Sequence, residues 1–225
     1  MPEMITKPEV WGGSIVLVGA FAPATFHPAW LERHNLIRPE EAVQAKLDFV
    51  HPEVALLSLG WAKLQVQQDR LALIATDPTQ LLPMRDLVVG LIALLEHTPL
   101  KQMGFNREGH YKMADEAEWH RVGDQLVPKN LWARRLEGRV GMRSLTVEGN
   151  RSGSKAKYVR IRVEPSLQVP HGVFFHLNEH YDFGENSRLS DAASLVAEVW
   201  PAVSSFADEV MPQILNDALA AENRQ

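Results

Sequence analysis

The sequence predicts an α+β protein in which antiparallel sheet carries flanking helices, built from a β-(short helix)-β-β-α unit that occurs twice. Three features of the chain point there. Residues 157–166, KYVRIRVEPS, alternate between polar and apolar, the period of a half-buried strand. Residues 83–97 and 190–219 instead repeat apolar positions every three or four residues, the period of a helix. Finally, WLERHNLIRP (30–39) is echoed by WHRVGDQLVP (119–128), with tryptophan and proline nine positions apart, at the same place in a recurring order of elements.

GSIVLVGAF (13–21) is a continuous apolar run behind two glycines, as in a buried strand. PAWLERHNLI is a short helical turn entered through Pro28, and EEAVQAKLDFV (40–50), with Val43, Leu47 and Val50 in register, reads as helical. Two strands follow, VALLSLGWAKLQVQ and RLALIAT, joined around Gln68 and Asp69. PMRDLVVGLIALLEH (83–97) is the clearest helix of the first half. Pro83 and Asp86 suit its first turn and His97 its last; Leu87, Leu91, Leu94 and Leu95 line one face, and Thr98 with Pro99 ends it.

The second half restarts with a strand in LKQMGFN (100–106), then the second tryptophan–proline segment, then a strand in GRVGMRSLTVEGN (138–150) paired with KYVRIRVEPS across a Gly/Ser/Lys loop. Setting residue 148 opposite 158 places Tyr158, Arg160 and Arg162 on one face with Glu148, Thr146 and Ser144. Val159, Ile161 and Val163 then lie on the other with Val147 and Leu145. GVFFHLNEHYDF (172–183) adds a further strand. In the helical stretch 190–219, Leu195, Val196, Val199, Val203, Phe206, Val210 and Ile214 form the stripe, and Pro201 and Pro212 are expected to kink or split it. The second half thus counts one strand more than the first. The halves, 1–98 and 99–225, are expected to pack as one compact domain.

With 225 residues, 45% hydrophobic and 23% charged, the chain has the composition of a globular protein with a sizeable core. The absence of cysteine excludes disulfides, thiolate metal sites and cysteine nucleophiles. MPEMITKPEVWGG lacks the apolar region of a signal peptide and no run approaches eighteen apolar residues, so a cytoplasmic protein away from membranes is expected. The net charge of −5 is unevenly spread. Residues 134–162 hold nine basic residues against Glu137 and Glu148, a net +7, which leaves −12 elsewhere.

Candidate chemistry is sparse. His176 and His180 have the spacing of a helical metal pair, but they sit in a strand pattern. There they point the same way about 13 Å apart, too far to share an ion. GNRSGSK (149–155) lacks a Gly-Lys-Ser/Thr core and leads from strand to strand, which makes it a flexible hairpin tip and not a phosphate loop. No nucleophile elbow and no general acid–base pair of carboxylates is visible. NREGHY (106–111) and NEHY (178–181) resemble each other, a likeness read as turn or strand-end chemistry. No cofactor and no metal is implied. Two sets of residues remain. Arg143, Arg151, Lys155, Lys157, Arg160 and Arg162 form a basic strip suited to an acidic partner or a phosphate. His110, His176, Asn178 and His180 form a polar set that could converge in space.

The order of elements in the two halves resembles that of uncharacterised tandem α+β bacterial proteins and, more distantly, of SecB-type export chaperones. What that resemblance implies is a chaperone-like or partner-binding role. The expected function is that of a non-enzymatic binding or adaptor protein that engages a protein partner, or a second copy of itself, through a sheet face and its helices. An enzyme with a spatially assembled histidine/carboxylate site is the alternative; nucleic-acid binding through the basic 134–162 hairpin is a third reading.

Overall fold

A computed structural model describes residues 4–138 and 140–221; Arg139, one of the nine basic residues counted above, lies outside the described residues, as does the side chain of Val50. Among the described residues, nine antiparallel strands form one sheet with helices packed on one face only. The first half contributes β1 (Val10–Gly19), β2 (Lys46–His51), β3 (Val54–Ser58), β4 (Lys63–Gln67) and β5 (Arg70–Ala75). The second contributes β6 (Leu100–Lys112), β7 (Leu145–Gly149), β8 (Tyr158–Pro165) and β9 (Gly172–Asp182). Their order is β2-β3-β4-β5-β1-β6-β9-β8-β7. In each half the first strand pairs with the last, and hairpins step outward from there. The halves meet where β1 pairs with β6, Ser14 opposite Asn106.

The helices are α1 (Pro28–Arg33), α2 (Pro39–Gln44), α3 (Leu81–Leu94), α4 (Glu116–Leu126) and α5 (Leu189–Ala220). Asp115 caps α4 by accepting from the Glu118 amide at 2.8 Å. On the sheet, alternation decides what they cover. Met103, Phe105 and Tyr111 of β6 and Phe175, Leu177 and Tyr181 of β9 face the helices and are buried. The long α5 crosses under both halves. Val196, Val199, Trp200 and Val203 join the first half's core, and Ala207, Met211 and Leu215 the second's.

Several expectations are corrected. The segment 40–50 is helical only to Gln44 and then becomes β2, because Leu47 and Phe49 pair with Leu57 and Leu56 of β3; Val43, supposed to face inward, is exposed. VALLSLGWAKLQVQ is two strands, folded back at Gly60, whose φ of +83° suits a residue without Cβ. The extra strand therefore belongs to the first half, which has five to the second's four. In α3 the buried face is Met84, Leu87, Val88, Leu91 and Ile92, and Leu94 is exposed. The β7–β8 register sets Glu148 opposite Arg160, two residues from the expected pairing; a slip of two preserves the faces. Pro201 and Pro212 lie within one continuous α5, and Phe206 and Val210 are only partly buried.

Candidate functional site, the uncovered sheet face

The face of the sheet turned away from the helices is polar, and residues from five strands meet on it in cross-strand rows. One row runs Ser14, Asn106, Asn178, Arg160, Glu148. Asn106 Nδ2 donates to Ser14 Oγ at 3.1 Å, Asn178 Nδ2 donates to Asn106 Oδ1 at 2.8 Å, and Arg160 donates to Glu148 at 2.7 Å. The next row runs Gly12, Glu108, His176, Arg162, Thr146. NREGHY and NEHY lie within the neighbouring strands β6 and β9, each ending one residue before its strand does, and they face each other only at Asn106 and Asn178. Gly104 makes room for the amide ladder, since a Cβ there would meet Asn178 Nδ2 at 2.9 Å.

A groove of about 710 Å³ opens along β1 on this face. It exists because β1 presents Gly12 and Ser14 between the larger side chains of Ile74 on β5 and Asn106, Glu108 and His110 on β6. His176 and Gln168 close the end near His110, and Arg70 lines the opposite end. Arg70 pairs with Val18 and Glu108 with Gly12, six residues apart along β1, so the two charges are anchored about 20 Å apart at the backbone. Glu108 and Arg70 have no carboxylate or cation partner among the described residues.

The histidines differ in what holds them. Ser166 Oγ accepts the amides of Gln168 and Val169 at 3.1 and 2.9 Å and lies 2.8 Å from His110 Nδ1. Its one hydrogen therefore goes to Nδ1, which fixes the proton of the neutral ring on Nε2. Burial holds His110 below the usual imidazole range against the pull of Glu108. Burial likewise lowers His176, with Glu108 and Glu164 raising it and Arg162 lowering it further. Both rings are neutral at pH 7. His180, by contrast, stacks on Tyr158 with centroids 4.6 Å apart and bonds Asp182 at 2.9 Å, away from the groove. His110 and His176 thus converge with an acid, while Asn178 and His180 serve neighbouring rows. Among the described residues, no three His, Asp or Glu are placed to hold a metal ion.

The basic strip does not form one patch. Arg151 lies on the helix side, where it donates to Glu179 at 2.8 Å and covers the Phe206 ring. Glu179 is fully buried and also accepts from Ser154 and Tyr181, both at 2.7 Å. Burial alone would raise its pKa; the hydrogen bonds outweigh that and hold it below the carboxylate range. The GNRSGSK loop is consequently tied to the sheet instead of being a flexible tip. Lys155 pairs with Glu198 of α5, Arg160 with Glu148, and Arg162 sits 3.7 Å from Glu164. Arg143 and Lys157 are exposed.

A second buried charge escaped the sequence reading. Arg107 of β6, on the helix side, pairs with Asp208 of α5 and covers Trp11. Strand parity carried the signal for both charges: Arg107 falls between Phe105 and Tyr111, and Glu179 between Leu177 and Tyr181, on the apolar side of their strands. Among the described residues no helix is long and apolar enough to cross a membrane. The sequence matches no protein-family model and no curated protein.

Proposed function

We propose that this is a non-enzymatic binding protein whose uncovered sheet face takes a short zwitterionic peptide lengthwise in the groove along β1. The observation that carries the reading is the groove itself. Its volume lies within the range of small-molecule sites, and it presents an unpaired carboxylate, Glu108, and an unpaired guanidinium, Arg70, toward opposite ends. Ser14, Asn106 and the neutral His176 supply hydrogen-bonding groups between and beside them. A ligand ammonium belongs at the Glu108 end, where neutral imidazoles do not repel it, and a ligand carboxylate at the Arg70 end. Thermal-shift screening of tri- to hexapeptides, which when extended reach between the two charges, should find ligands that raise Tm. Glu108→Gln and Gly12→Val, which fills the groove floor, should each abolish the shift. A shift insensitive to both variants contradicts the proposal.

One observation favours a catalytic reading instead: Glu108 and His176 stand directly opposite each other on β6 and β9, so a small side-chain rotation would bring the carboxylate onto the imidazole, as a general base needs. Turnover of a bound peptide or ester, lost in His176→Ala while binding persists, would establish it.

A further inference from the structure

We propose a second binding surface, independent of the groove: the free edge of β7, with the apolar notch at its start, accepts an extended acidic peptide segment of a partner protein as a tenth strand. β7 is an outermost strand whose ladder to β8 is regular from Leu145 to Gly149. The opposite edge, β2, is blunted by an irregularity between Leu47 and Phe49 and by Lys46 and Asp48, devices that discourage strand addition. β7 carries no such irregularity, and Val147 is 57% exposed on its helix-facing side.

Just before β7 the chain forms a notch of about 240 Å³ between Trp132, Leu136 and Met142. Trp132 and Leu136 are 47% and 55% exposed, and Leu131 beside them is 59% exposed. Arg143 lines the notch and has no carboxylate partner among the described residues. An apolar hollow with an unpaired guanidinium, Arg143, at its rim and at the end of an open strand edge suits one chemistry. Main-chain amides of an added strand pair with β7, one apolar side chain enters beside Trp132, and a carboxylate meets Arg143. An open strand edge is recognised by pairing with main-chain amides, which a nucleic acid lacks, so the surface fits a peptide and not a nucleic acid.

Fluorescence anisotropy of the full chain with labelled acetyl-Asp-Leu-Glu-Val-Asp-Leu-Glu tests this. The peptide should bind, and its counterpart N-methylated at alternate residues should not, since it cannot complete a strand ladder. Trp132→Ala should weaken binding at least about tenfold, the loss expected of an aromatic anchor. Arg143→Glu should slow association and flatten its salt dependence. Gly12→Val, which fills the groove, should leave peptide binding unchanged, so this surface and the groove fail or succeed separately. No binding, binding indifferent to N-methylation or to Trp132→Ala, or displacement of the peptide by an oligonucleotide of equal charge would each overturn the proposal.

Discussion

At the scale of single residues, the helix-facing side of the sheet is held by buried charge as well as by apolar packing. Glu179 has no water to fall back on, and its acceptor capacity is filled by Arg151, Ser154 and Tyr181. Removing Arg151 with Ala strands that carboxylate, so unfolding in urea should show a loss of about 3–5 kcal/mol. A loss under about 1 kcal/mol would mean that the pair is solvent-relaxed. His110 and His176 give a pH signature of opposite sense to that of a salt-bridged histidine. Their folded-state pKa values lie below the unfolded value of about 6.5, so the unfolded chain binds more protons below that pH. Stability should be level above about pH 6.5 and fall as the pH drops below it. Protection of the Gln168 and Val169 amides, corrected for intrinsic exchange, should fall at lower pH still, once the pH drops through the lowered pKa of His110, because a protonated His110 can no longer accept from Ser166. Stability that rises on acidification from pH 6.5 to 5.5 would contradict this. Arg160 and Arg162 were legible as solvent-facing because Val159, Ile161 and Val163 needed the other side. Glu148 was legible on the same face, but its pairing with Arg160 was not, since the expected register set it opposite Tyr158.

Among elements, α5 decides how the two cores are joined. Trp200 is buried in the first half's core, so Trp200→Ala should cost about 3–5 kcal/mol. Phe206 is half-buried under the Arg151 guanidinium, and Phe206→Ala should cost about 1–2 kcal/mol, a fraction of full burial. Equal losses would mean that the helix is rotated from its described seat. The double change Arg160→Glu with Arg162→Glu breaks exposed ion pairs and the contacts over Tyr158 and Phe174 and sets like charges against Glu148 and Glu164; it should cost about 1–2 kcal/mol, with the fold retained. Strands with clean alternation, and helices with a sustained three-and-four spacing, were readable from the chain alone. Residues 40–50 were not: three apolar positions at helical spacing fit the helix, yet LDFVH pairs better as an edge strand once β3 is beside it. Tertiary pairing outweighed the local period.

For the whole molecule, the order of strands matters most and is what the sequence conceals. Gly12, Asn106 and His176 are far apart in the chain and become neighbours only because β1 pairs with β6 and β6 with β9. No spacing rule could have assembled the groove. The strand order runs alike in both directions from the β1–β6 junction, and Trp30 and Trp119 each lie in the helix that follows their half's first strand. Descent from one duplicated unit would leave such an order, and superposing residues 10–94 on 100–220 should bring those tryptophans together if it did. The central claim is that ligand is taken on the uncovered face. An amide chemical-shift titration with the best zwitterionic ligand from the thermal screen tests it most directly. The account predicts shifts concentrated at Gly12, Ser14, Asn106, Glu108 and His176, absent in Gly12→Val; shifts confined to α3, α5 or the outer strands would contradict it.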